Sequence, residues 1–121
     1  MGALRVLVPD VDAALPAWEA AGYAEAQRWG PPFAILEADG MPDVWLSGPG
    51  TSAARTVEGL PDGDAGAASV RPVLEVEDVD AAVARLVGAG WSAIGTPVSG
   101  PGGSQQLLRQ GAVFLEVFAG G

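Results

Sequence analysis

The stretch VPDVDAALPAWEAAGY, beginning at Val8, returns as VEDVDAAVARLVGAGW, beginning at Val76, with eight of sixteen positions identical and a constant spacing of 68 residues. Self-similarity at one fixed spacing constrains a fold more than composition does. It requires one supersecondary unit to be built twice and the two copies to share a core.

The unit can be read from either copy. Runs rich in β-branched residues and leucine at 4–8 and 70–77 predict strands, and each leads into an Asp-Val-Asp turn at 10–12 or 78–80. Short carboxylates at that point suit the free N–H groups and positive end of a helix start, so these aspartates are expected to cap rather than catalyse. Val11, Leu15 and Trp18, and then Val79, Val83 and Leu86, recur at helical spacing; Gly22 and Gly90 mark the helix stops. Pro16 would forfeit a hydrogen bond inside a helix, which predicts a late start near Asp12 or a bend. Further short strands are expected at 23–28, 33–38 and 43–47 in the first copy, and at 91–96, 105–110 and 112–118 in the second. Gly30-Pro31-Pro32, Asp39-Gly40 and the SGPGGS run at 99–104 punctuate them.

The order is therefore β-α-β-β-β twice, an α+β chain of one domain. Residues 3–47 form the first module, 48–69 a Gly/Pro-rich linker or long excursion, and 70–119 the second module. One such unit is too small to bury both its sheet and its helix. Two can share a concave, partly closed mixed sheet in a pseudo-twofold arrangement, helices outside and a trough inside.

Composition narrows the chemistry. The 121 residues contain no Cys and no His, which removes thiolate and imidazole catalysis, disulfides and the commonest zinc sites. A net charge of −9 disfavours nucleic acid and anionic membranes as partners and leans towards a cationic ligand. No apolar run is long enough to span a bilayer, and no signal peptide or phosphate-binding glycine motif is evident, so the default expectation is a cytoplasmic protein.

The paired units, the strand-Val-x-Asp-Val-Asp-Ala-Ala sequence and the closing GAVFLEVF resemble the vicinal oxygen chelate superfamily, which includes glyoxalase I, extradiol dioxygenases, fosfomycin-resistance enzymes and bleomycin-resistance binding proteins. The resemblance covers nearly the whole chain outside the linker. It implies four metal-ligand positions, which here are Ala3, Ser47, Arg71 and Glu116, Ser47 being placed by matching VWLS to VFLE. Only Glu116 is a good ligand among them, and Arg71 sets a permanent cation where a metal would sit. No metal, other cofactor or catalytic residue is therefore expected; instead Arg71 and Glu116 can form an ion pair.

Strand alternation places Arg5, Arg71, Glu75, Trp45, Ser47, Phe114, Glu116 and Phe118 on the inner face, joined by Trp29 and Phe33. Trp45 and Phe114 are expected at matching places in the two modules. Such a trough suits a small aromatic or amphipathic, cation-leaning ligand. The expected function is non-catalytic sequestration of an antibiotic or similar metabolite, in a homodimer like the bleomycin-resistance proteins. The alternatives are a metal-independent or atypical-metal lyase or isomerase of the same superfamily, and an interaction module without a small ligand.

Overall fold

The structure, a computed structural model, describes residues 2–121. Its elements run β1 (Ala3–Leu7), α1 (Val11–Ala20), β2 (Ala24–Trp29), β3 (Phe33–Glu37), β4 (Asp43–Ser47), α2 (Ser52–Arg55), α3 (Asp62–Ala68), β5 (Val70–Glu75), α4 (Val79–Gly88), β6 (Ser92–Gly100), β7 (Gly103–Gln110) and β8 (Val113–Gly120). The eight strands make one open mixed sheet in the order β2-β3-β4-β1-β5-β8-β7-β6. That order is a palindrome of modules, with antiparallel β1 and β5 at its centre. Leu4 pairs with Pro72, its own equivalent 68 residues on, so the pseudo-twofold axis passes beside this pair.

The repeated helices are specified at both ends. Asp10 and Asp78 accept from the backbone N–H groups of Ala13 and Ala81, so the aspartates do cap. At the other end Tyr23 N–H reaches Trp18 O and Gly22 N–H reaches Glu19 O, and the second copy repeats this with Trp91, Leu86, Gly90 and Val87. This paired closure places the glycine at φ +101° in one copy and +110° in the other, a region that penalises a Cβ. Pro16 does not delay α1, which begins at Val11; the cap and the buried apolar stripe outweigh one lost hydrogen bond.

Each helix covers the outer face of its own module. Val11, Leu15 and Trp18 pack on Val6, Ala34, Leu36, Val44 and Leu46. Val79, Ala82, Val83 and Leu86 pack on Leu108 and Val117. The β6–β7 hairpin is longer than expected: its strands run through most of the glycine-rich stretch, leaving Pro101-Gly102 at the tip. Gly103 is required there, because a Cβ would lie 2.1 Å from the carbonyl oxygen of Ala119.

Residues 48–69 are not an extended tether. Thr51 caps α2 through the Ala54 N–H, α3 follows Pro61, and both short helices lie on the inner face of the second module. Ala68, Val57 and Leu60 pack there against Leu107, Phe114 and Ile94.

Candidate functional site

The central strand pair sets Arg5 of β1 directly opposite Arg71 of β5, both pointing into the trough. Two like charges at facing positions repel, and desolvation adds to the cost. Glu116 of β8 resolves the conflict. Its Oε1 accepts from Arg5 Nε at 3.0 Å and Arg71 Nε at 3.0 Å, while its Oε2 accepts from Arg5 Nη2 at 2.7 Å. Arg5, Arg71 and Glu116 are 4%, 0% and 0% exposed.

The two arginines then diverge. Arg71 turns to the second module, donating to the carbonyls of Ala68 and Ala53 in α3 and α2 and to Gln105 Oε1. Burial pulls its guanidinium pKa below the ordinary arginine value, and the attraction of Glu116 opposes that fall. Arg5 turns to the first module, where Nη1 donates to Ser47 Oγ at 3.0 Å. Its guanidinium carbon lies 5.0 Å from the ring centre of Trp45, 5.7 Å from Phe33 and 6.0 Å from Phe118. The rings touch in series: Trp29 stacks on Phe33 at 5.3 Å, Phe33 meets Trp45 edge-on at 6.4 Å, and Trp45 meets Phe118 at 5.4 Å.

Eight of the residues singled out in the sequence thus gather around one cluster: Arg5, Arg71, Glu116, Ser47, Trp45, Phe33, Phe118 and, at the rim, Trp29. Two stand apart. Glu75 is exposed and has no part in the ion-pair network. Phe114 is buried under the linker helices, with Arg109 over its ring at 4.8 Å. Nor does Phe114 match Trp45. Arg5 pairs with Trp45, and its equivalent 68 residues on, Val73, pairs with Glu116, so the counterpart of Trp45 is Glu116 and that of Ser47 is Phe118. The sequence match was two residues out of register. A slip of two keeps every side chain on the correct face, so strand alternation could not detect it.

A divalent metal does not fit this set. In the observed register the implied positions carry Ala3, Trp45, Arg71 and Glu116, a single carboxylate among them, and that carboxylate is held by two guanidinium groups; Ser47, two residues further along β4, adds only a hydroxyl. Among the described residues no group of three or more His, Cys, Asp or Glu side chains stands close enough to hold an ion.

Gln105 and the linker contacts were missed from sequence. Thr51 ahead of Ser-Ala-Ala-Arg and Pro61 ahead of Asp62 are the helix-start signals that could have found α2 and α3.

No protein-family profile and no curated protein sequence matches the chain. Solved structures do. An NAD-dependent benzaldehyde dehydrogenase from Legionella pneumophila is similar with a TM-score of 0.73 at 12% identity, over 100% of both chains. A glyoxalase/bleomycin resistance protein/dioxygenase superfamily member from Vibrio splendidus 12B01 is similar with a TM-score of 0.62 at 16% identity, over 98% of this chain and 97% of that one. A methylmalonyl-CoA epimerase is similar with a TM-score of 0.57 at 18% identity, over 99% and 92%. At such identities the likeness is one of fold, and with the two modules and their shared trough it gives this chain the vicinal oxygen chelate fold of the glyoxalase/bleomycin resistance protein/dioxygenase superfamily.

Proposed function

We propose that the protein is a non-catalytic small-molecule binder that sequesters an antibiotic or similar metabolite on the aromatic wall that the first module forms with Phe118 of β8. One observation carries the reading: Trp29, Phe33, Trp45 and Phe118 form an unbroken series of rings whose outer member, Trp29, is 52% exposed. A large ring left in water at the end of a partly buried aromatic row is a stacking platform for a flat or amphipathic molecule. Acid–base chemistry finds little support, because Glu116 is bound by both arginines and Glu75 stands alone in solvent. A second copy of the chain completing the crevice, as the resemblance implies, belongs to the same proposal.

Tryptophan fluorescence titrated with peptide, glycopeptide and polycyclic antibiotics tests it. A binder should perturb the emission, and Trp29→Ala, which removes an exposed side chain, should weaken it about tenfold while leaving circular dichroism unchanged. Unaltered affinity in folded Trp29→Ala would move the ligand off this wall. Light scattering showing only a 12.2 kDa species at micromolar concentration would remove the dimer.

A further inference from the structure

We infer that the ligand presents an anionic group, a carboxylate or one of like geometry, to Arg5; this rests on the reading that the first-module trough binds a small molecule. The buried cluster holds two guanidinium groups against one carboxylate. A guanidinium stays charged in proteins, so one positive charge is left for neutral groups to absorb. Acceptors are distributed unevenly between the two arginines. Arg71 has Glu116, two helix carbonyls and Gln105. Arg5 has five N–H donors and uses three, two on Glu116 and one on Ser47. Ring faces attract its remaining charge but accept hydrogen bonds poorly.

A second donor on the same face is also unmet. Trp45 is 8% exposed, and its Nε1 is the one buried side-chain polar atom without a partner among the described residues. A buried N–H left unpaired is destabilising, and an acceptor on the ligand would remove that cost. Spare arginine donors, an indole N–H and the Ser47 hydroxyl are the complement of a carboxylate, whose two oxygens take about four hydrogen bonds. The flanking rings add a preference for an aromatic body. This reverses the leaning drawn from the net charge of −9. Charges more than about 8 Å away are largely screened at physiological ionic strength, whereas Arg5 touches the site.

The test compares three probes of one shape and different charge, 2-naphthoate, 2-naphthamide and 2-naphthylmethylammonium, by calorimetry on the full chain. Naphthoate is expected to bind at least fivefold more tightly than the other two. Arg5→Gln, which leaves Arg71 and Glu116 as a balanced pair, should abolish that preference. Should Arg5→Gln fail to fold, Trp45→Phe keeps an aromatic ring, though a smaller one, removes the N–H, and should lower the naphthoate preference two- to fivefold. A preference below fivefold in the wild-type protein, or one that survives in the folded variants, overturns the anion inference and leaves the binding wall in place. No binding by any of the three at millimolar concentration overturns both.

Discussion

The two modules share strand order, capping aspartate and helix closure, yet their inner faces have opposite fates. The first is lined with rings and ends in an exposed tryptophan; the second is covered by α2 and α3. Equivalent positions show how far they have parted: Ala3 answers Arg71, Arg5 answers Val73, Trp45 answers Glu116, and Ser47 answers Phe118. The outer face must match a helix in both copies, so its apolar pattern is held by packing. The inner face has no such common partner. Duplication supplied a symmetric frame, and an asymmetric set of charges was placed on its axis.

Glu116 joins the halves, and removing it should have the largest effect. Glu116→Gln leaves two desolvated guanidinium groups opposite one another with no counter-charge. Breaking a buried pair in this way costs about 3–5 kcal/mol. Denaturant unfolding should show a loss of that size, against about 1.5 kcal/mol for Ser47→Ala, which removes a single hydrogen bond from the Arg5 guanidinium. Equal losses in the two variants would mean that the carboxylate does not bridge the modules.

The arginines permit a sharper separation. Arg71 holds the linker through the carbonyls of Ala53 and Ala68, whereas Arg5 donates to Glu116 and Ser47, outside the linker. Arg71→Met should cost about 2–3 kcal/mol, since hydrogen bonds from a charged group are lost and the Ala68 carbonyl loses its side-chain donor. Amide exchange in residues 52–68 should accelerate at the same time. Arg5→Met should cost about 2 kcal/mol, because three hydrogen bonds from a charged group are lost and Glu116 Oε2 loses its donor, although methionine packs well among rings and Glu116 retains Arg71. Its linker amides should keep their protection. Comparable loosening in both variants would break the division of labour between the halves.

The sequence made the repeat, both helices, all eight strands and the facing of the inner residues legible, because these follow from local capping, helical spacing and strand alternation. Leu4, Val6 and Val8 against Arg5 is a pattern any half-buried strand must show. The register of Glu116 was not legible, since a two-residue slip preserves that pattern. The two short helices of the linker were not legible, for a different reason. The linker's buried side chains are Ala53 and Ala68, with Val57 and Leu60 half-buried, too few to give a helical stripe, and its hold comes from Arg71 donating to backbone carbonyls. Backbone acceptors leave no mark in a sequence. The anionic leaning was hidden likewise: a count of charges over the whole chain does not reveal that two of six arginines are buried together.

The smallest expected effect tests how closely the linker seats on the second module. A Cβ added at Gly100 of β6 would lie 2.0 Å from Ser52 Oγ and 3.3 Å from Ser52 Cβ in α2. The obstacle is a short, partly buried side chain rather than backbone, so α2 can yield by a small shift. Gly100→Ala should therefore cost about 1 kcal/mol, the low end for overpacking, and should raise exchange in α2 while leaving α4 and β4 unaffected. Arg55 also holds this edge, donating to the Ser99 carbonyl at 2.7 Å, so the displaced helix should remain attached. Ser52→Gly combined with Gly100→Ala removes the obstructing atoms and should restore α2 protection, although glycine in the helix lowers its intrinsic stability by up to about 1 kcal/mol. Comparing the double variant with Ser52→Gly alone removes that contribution. If Gly100→Ala is as harmful on the Ser52→Gly background as on the wild type, its cost does not arise from α2. The linker would then sit on the second module less closely than Arg71 and Arg55 require.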